Sequence, residues 1–483
     1  MRSILPVILL AILSCGAGWA QSAQKLSPFT RQYVSVDAPV VALVHVRVID
    51  GTGAAPREGQ TILIDHGKIT AVGDAVAVPA EAKVLDLKGY TVIPGLVGMH
   101  DHLFYPNQIA DRNAEGPVII YNEMGFSFPR LYLACGVTTL RTTGSIEPYT
   151  DLSLKKLIDA GATPGPAMHI TGPYLEGAGS YTPNMHELTG PADATRTVNY
   201  WASEGVTSFK AYMHITRTEL KAAVDVAHAH GLKITGHLCT IGFTEAATLG
   251  IDDLEHGLFV DTEFDPGKKP DVCPPQPLTG KTMASLNIEG APVQRMIHDL
   301  VAHHVAVTST LPVFETFIPH QPPLDPRVLA ALSPAARIDY LTIRAVVGER
   351  TDSNAAVLLK KEMQFERDFV KAGGQLLAGE DPTGYGGVLA GFGDQREVEL
   401  LVQAGFTPEE AIHIATENGA KFLGADSHIG TIAAGKDADL VVINGNPAKK
   451  IEDVEKVQTV FKDGVGYDSA KLIESARGTV GLH

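Results

Sequence analysis

The sequence predicts an α/β fold: a (β/α)8 TIM barrel carrying a discontinuous small β-sandwich domain built from both chain ends. Three observations carry this. The middle of the chain alternates short apolar runs with amphipathic stretches of helical period. Segments rich in β-formers and punctuated by Gly and Pro occur before that middle and again after it. The length, 483 residues, and a hydrophobic share of 45% against 19% charged supply apolar side chains for one large core and a smaller one.

Taken in order, residues 1–20 read as an export signal. Arg2 gives a positive start, Ile4 to Ile12 a short apolar stretch, and Gly18-Trp19-Ala20 small residues beside a cleavage point before Gln21. The expected location is periplasmic or secreted. Anchoring through a lipidated Cys15 is the less favoured reading, because Leu13 fits poorly two residues before it. The apolar run is far short of the roughly 20 residues that span a bilayer, and no transmembrane segment is expected later. Residues 21–40 read as an irregular lead-in. Segments 41–95 and 425–470 form the composite β-domain, their ends meeting in space. Residues 96–424 form the barrel. Its candidate strands are LVGMHDHL, GVTTLRTT, AMHITGP, VTSFKAYM, LKITGHL, DDLEHG, VAVTSTLP and QLLAGED. TRTELKAAVDVAHAHG and EAIHIATENGAKFLG read as amphipathic helices closing on Gly. The Pro-rich insertion from Asp265 to Pro292, after the sixth strand, is expected to contribute to a lid.

Composition excludes several functions. Lys and Arg number 39 against 55 Asp and Glu, a formal charge of −16, so there is no basic face for nucleic acid and no polybasic membrane anchor. Removal of the first twenty residues leaves Cys135, Cys239 and Cys273, an odd number without CxxC spacing. Cys135 and Cys239 read as small buried thiols. Cys273 is the candidate for one disulfide, its partner left open.

The chemistry concentrates at strand ends. His100 and His102 flank Asp101 at the end of an apolar strand, where side chains two apart share a face and both imidazoles could chelate one ion. His237 ends the fifth candidate strand, His256 the sixth and Asp381 the eighth, all on the rim where barrel enzymes place their sites. Four His and a carboxylate suit zinc or a similar ion and suffice for two. Singly each would be an ordinary core histidine or loop carboxylate; it is the ordered set that carries the inference. Lys210, on the fourth apolar strand, is costly to bury charged. As a neutral amine it could add carbon dioxide to give an anionic carbamate able to bridge two cations; the alternative is an outward lysine with Phe209 inward.

These motifs make the chain similar to the amidohydrolase superfamily, in its imidazolonepropionase-like and prolidase-type (Xaa-Pro dipeptidase) branch. The carriers are VIPGLVGMHDH, GVTTLRTTG, GVTSFKAY, ITGH, DDLEHG, AGED and IGTIAAGKDADLVVINGNP, in family order over nearly all of the mature chain. The resemblance implies a metal-dependent hydrolase with two divalent ions, zinc by donor type: His100, His102 and Asp381 on one, His237 and His256 on the other, carboxylated Lys210 bridging. Three departures bear on substrate. Arg141 is followed by Thr142 rather than Asp, SFKAYMH is closer to hydantoinase-like members, and Gly379-Glu380-Asp381 replaces the usual Gly-Thr-Asp.

The expected reaction is hydrolysis of an amide bond in a small-molecule dipeptide or N-acyl amino acid by a metal-bridging hydroxide, with Asp381 moving the proton. Cyclic-amide hydrolysis of the hydantoinase or imidazolonepropionase kind is the alternative, and hydrolytic deamination follows it. Tyr212, two residues beyond Lys210, is a candidate oxyanion or substrate donor or else a packed tyrosine. Arg141 is either a fork for a substrate carboxylate or a structural ion pair. Tyr174, Tyr181, His186 and Tyr385 are further loop candidates. A homo-oligomer is left open.

Overall fold

The computed structural model describes residues 26–109, 118–351, 353–384 and 386–482. The export signal, Cys15 and Tyr385 lie outside the described residues. No helix among those described is long and apolar enough to cross a membrane.

Both chain ends feed one nine-stranded sheet. Thr91–Pro94 pairs with Leu440–Ile443 antiparallel and with Val40–Val48 parallel, which joins the N-terminal strands to the C-terminal ones. Its core is built from alternate apolar residues such as Val41, Leu43, Ile62, Val92, Leu440, Val442 and Phe461. The lead-in is not irregular throughout. Pro28–Arg31 is a short helix capped by Ser27, and Val34–Val36 pairs with Val465–Asp468. Such short elements carry too little periodicity to be read from sequence.

All eight candidate parallel strands form. They are β1 (Leu96–Asp101), β2 (Val137–Thr142), β3 (Ala167–Ile170), β4 (Ser208–Ala211), β5 (Lys233–Gly236), β6 (Asp253–Glu255), β7 (Ala306–Ser309) and β8 (Leu376–Ala378). They fall into two parallel ladders, β3-β2-β1 and β4-β5-β6-β7-β8. Between β3 and β4 the link is a bridge at Thr171 and Ser208. Just past the end of β8, the Asp381 amide donates to the His100 carbonyl of β1 at 2.9 Å. Near-continuous apolar burial along these strands fits parallel strands covered by helices.

Helix Arg217–Ala229 starts on a Thr216–Glu219 capping box and ends before Gly231, at φ 71°. The other amphipathic stretch departs from a plain helix: Pro408–His413 passes through a π turn at Ile414–Asn418 before Gly419–Phe422. A hairpin of Phe104–Ile109 with Val118–Glu123 follows β1 and has no counterpart in the sequence reading. The insertion after β6 contains helix Gln276–Ser285, and Cys273 within it is disulfide-bonded to Cys239 beyond β5. Cys239 is therefore not a free core thiol; among the described cysteines Cys135 is the free one, and it is buried.

Candidate metal centre

The predicted rim groups converge. The period of two in β1 turns His100 and His102 to one side and Asp101 to the other, where it joins Glu380 and Asp394 in a buried acidic group. Burial, then the neighbouring Asp394, raises the Asp101 carboxyl well above its ordinary range. One ligand atom from each of His100, His256 and Asp381 lies within 4.8 Å of the others. His102 Nε2 is 3.4 Å from Asp381 Oδ1, and His100 Nε2 is 3.8 Å from the same oxygen. His237 packs its ring 4.6 Å from that of His256.

Lys210 points inward, not to solvent: it is 1% exposed and its Nζ lies 3.0 Å from His100 Nε2. Burial pushes its ammonium down to about 8 while Glu255 and Asp381 pull the other way. Phe209, the other inward candidate, is buried on the opposite face against Gly172.

Each of three histidines spends its Nδ1 on a protein partner. His100 Nδ1 meets Glu255 Oε2 at 2.6 Å, His102 Nδ1 the Gly144 carbonyl at 3.2 Å, and His256 Nδ1 the Thr310 hydroxyl at 2.7 Å. A carboxylate or carbonyl only accepts, so the imidazoles of His100 and His102 donate from Nδ1 and keep the Nε2 lone pair toward Asp381. Burial lowers all four imidazoles below their ordinary range, His237 to about 3, and so favours the neutral form that ligates. Burial pushes the Asp381 carboxyl up, but His100, His102 and Lys210 together outweigh it and hold the group well below its ordinary range. Three Nε2 atoms around one ionised carboxylate, with the Lys210 amine beside that of His100, are in this buried setting a donor set that fits divalent ions.

The backbone is bent to reach this arrangement. His256 (φ 68°) and Asp381 (φ 51°) both sit in the left-handed region. A Cβ on Gly379 would overlap the His100 backbone, so only glycine lets β8 approach β1 here.

Two candidates belong elsewhere. Arg141 is 1% exposed, and its guanidinium binds Asp253 Oδ2 (2.8 Å), Glu255 Oε1 (2.9 Å) and the Met99 carbonyl. It is the structural ion pair and is not free to receive a substrate carboxylate. His186 pairs with Asp193 at 3.1 Å, at the start of helix Pro191–Glu204. Tyr212 lies 5.0 Å from His237, ring to ring, and its hydroxyl bonds that of Tyr181 at 2.8 Å; Tyr181 in turn bonds Tyr121 at 2.9 Å. Tyr174 packs against Tyr212 in the same wall.

Glu255 is the important residue the sequence reading missed. Its signal was present: two carboxylates two apart, Asp253 and Glu255, on an apolar strand with a buried arginine elsewhere.

Comparison with known proteins adds a family. Residues 367–466 match the amidohydrolase family model. That segment is amidohydrolase-like. A dihydroorotase of Syntrophus aciditrophicus is 48% identical over 62 residues, which cover 12% of this chain and 14% of that protein. An imidazolonepropionase of Chromobacterium violaceum is 28% identical over 221 residues, 38% of this chain and 52% of the other. The chain thus spans well under two thirds of these curated relatives. A solved Xaa-Pro dipeptidase with bound methionine in the active site matches at TM-score 0.65 and 21% identity, covering 89% of this chain and all (100%) of its own. A. niger ochratoxinase matches at TM-score 0.62 and 17% identity, covering 92% of this chain and 100% of its own. At these identities the structural matches establish fold.

Proposed function

We propose that this chain is a metal-dependent hydrolase of carbon–nitrogen bonds that cleaves an amide in a dipeptide or N-acyl amino acid. One observation carries the reading: His100, His102 and His256 have Nδ1 tied to protein partners and Nε2 turned toward the Asp381 carboxylate at the end of β8, with His237 packed beside His256. In this reading the eight strands act as a closed barrel over residues 96–424, beside a β-domain of 41–95 and 425–470. His100, His102 and Asp381 would hold one ion, His237 and His256 the second. Two bound divalent ions supply Lewis acidity, which acidifies water and polarises a carbonyl.

The chain's own groups do the rest. Lys210 would add carbon dioxide through its neutral amine, forming an N–C bond and releasing one proton, and the carboxylated side chain would supply an anionic ligand for the ions. Its burial and lowered ammonium range support this. Asp381 accepts the proton lost by water and passes it to the leaving nitrogen. Thr383 donates to Asp381 Oδ1 at 2.8 Å and steadies that carboxylate. Tyr212 serves as a hydrogen-bond donor to substrate from the aromatic wall. Cyclic-amide hydrolysis is the second reading, favoured by the dihydroorotase and imidazolonepropionase matches. Export to an oxidising compartment is supported by the Cys239–Cys273 disulfide.

The test is a panel of dipeptides, N-acyl amino acids, lactams and aminopurines with zinc-loaded protein, alongside metal analysis. Turnover of the open amides, close to two ions per chain and loss of both on chelation are expected. Exclusive turnover of lactams moves the second reading ahead; full activity without metal overturns both.

A further inference from the structure

We propose that a cavity of about 530 Å³ beside these histidines is an aromatic slot for a large apolar group of the substrate, with a cationic rim that takes its carboxylate. The proposal rests on the hydrolase reading and narrows its substrate to amides of aromatic or bulky apolar amino acids. The cavity starts at His237 and is walled by Phe259, Phe314 and Phe317. Phe259 and Phe314 stack with centroids 3.5 Å apart, Phe317 follows at 6.0 Å, and Phe314 meets His256 edge-on at 5.7 Å. A run of phenyl rings therefore leads from a candidate ligand into the cavity. All three rings are only half-buried, which leaves apolar surface for a guest.

The facing wall is anchored. Cys239 and Pro274 line it, and the Cys239–Cys273 disulfide ties the insertion to the end of β5. Asp271 adds an ion pair to Arg217 at 3.1 Å, and Lys268 Nζ donates to the Thr240 and Val272 carbonyls. A wall held this way presents a slot of fixed width.

The rim supplies charge. Lys281 and Arg350 line the cavity and are exposed, and no ion pair engages either among the described residues. In a chain of net charge −16, two uncommitted cations at the mouth of an apolar cavity select an anionic end. Two other cavities lack this pairing. One, about 330 Å³, has its arginines committed: Arg327 to Asp325 and Glu455, Arg396 to Glu315 and Glu399. The other, about 580 Å³, opens beside Lys233 at the start of β5, the opposite end from His237.

The test is calorimetric binding of N-acetyl-L-phenylalanine, N-acetylglycine and N-acetyl-L-phenylalanine amide to the full protein, followed by turnover of aminoacyl and N-acyl substrates of graded side-chain size. Burying one phenyl group predicts roughly ten- to a hundredfold tighter binding of N-acetyl-L-phenylalanine than of N-acetylglycine. Phe314→Ala should erase most of that preference; Phe314→Leu, which keeps much of the volume, covers the case in which alanine unfolds the segment. Arg350→Gln and Lys281→Gln, both exposed, should weaken the acid several-fold and leave the amide unchanged. Equal binding of the two acids by the unmodified protein, or a preference untouched by every substitution, overturns the slot. Side-chain preference without hydrolysis of any amide would sink the hydrolase reading and leave the slot standing; hydrolysis with no such preference would do the reverse.

Discussion

Glu255→Gln probes the centre without touching a candidate ligand. The Glu255 carboxylate accepts at both oxygens: His100 at Oε2 (2.6 Å), and Arg141 (2.9 Å) with Thr235 at Oε1. A glutamine of nearly equal volume offers one acceptor and one donor. If its oxygen serves Arg141 and Thr235, its NH2 faces His100 Nδ1 and forces the proton to Nε2, the atom needed for an ion. If it is flipped, the NH2 faces a guanidinium in a site that is 0% exposed. Losing a partner of this kind behind a metal-binding histidine lowers metal affinity about 10–100-fold, or about 1.4–2.7 kcal/mol. The metal-free protein should also lose about 1–3 kcal/mol, the cost of a buried donor without an acceptor. Competition against a chromophoric zinc chelator measures the first and urea unfolding of the stripped protein the second. Metal affinity within twofold of the unmodified chain would refute the claim that Glu255 sets the His100 tautomer.

Other expectations are simpler to state. Lys210→Ala should retain fewer ions per chain than the unmodified protein, and added acetate should restore part of the loss; unchanged metal content removes the carbamate bridge. Cys273→Ala opens a loop of 34 residues and should destabilise by up to about 4 kcal/mol in denaturant. Thiol labelling of the unfolded, unreduced mature chain should find one cysteine, Cys135, and finding three would refute the disulfide. Native protein should begin near Gln21 and fractionate outside the cytoplasm; an intact Met1 in a cytoplasmic fraction would contradict export.

What could be read from the sequence follows a physical line. His100, His102, His237, His256 and Asp381 were legible because each stands at the exit of an apolar run, and the chain direction of a parallel strand brings all such exits to one end. Lys210 was legible as a costly burial with its direction open, since one strand does not show which face meets the interior. The partners of these residues were not legible. Gly144 and Thr310 reach the histidines through the stagger between neighbouring strands, and Glu255 reaches His100 across the interior from β6, which pairs with β5 and β7 and not with β1. Arg141 shows the same limit: only Asp253 and Glu255, reaching it from β6, decide between ion pair and substrate fork. The Cys239–Cys273 bond depends on the path of a Pro-rich insertion with no hydrophobic period to predict it.

Local backbone geometry shows why the sequence pattern looks as it does at two of these exits. A strand that continued in β conformation past Glu255, whose side chain meets His100, would alternate its next side chain away from the interior, so His256 must leave the ladder to aim inward. His256 does so by entering the left-handed region, at φ 68°, and Asp381 also lies there, at φ 51°; histidine and aspartate tolerate it better than most residues. The turn needs room on both sides, and glycine supplies it. Gly257, itself at φ 57°, lies where a Cβ would strike the Glu362 carboxylate, and Gly379 lies where one would strike the His100 backbone. Backbone held in sparsely populated conformations costs of order 1–3 kcal/mol per residue and persists where the surroundings over-determine it. Here both departures bring a ligand atom within 4.8 Å of one on His100. The motifs E-H-G and G-E-D are thus the local record of a chain bent twice to bring a histidine and a carboxylate together.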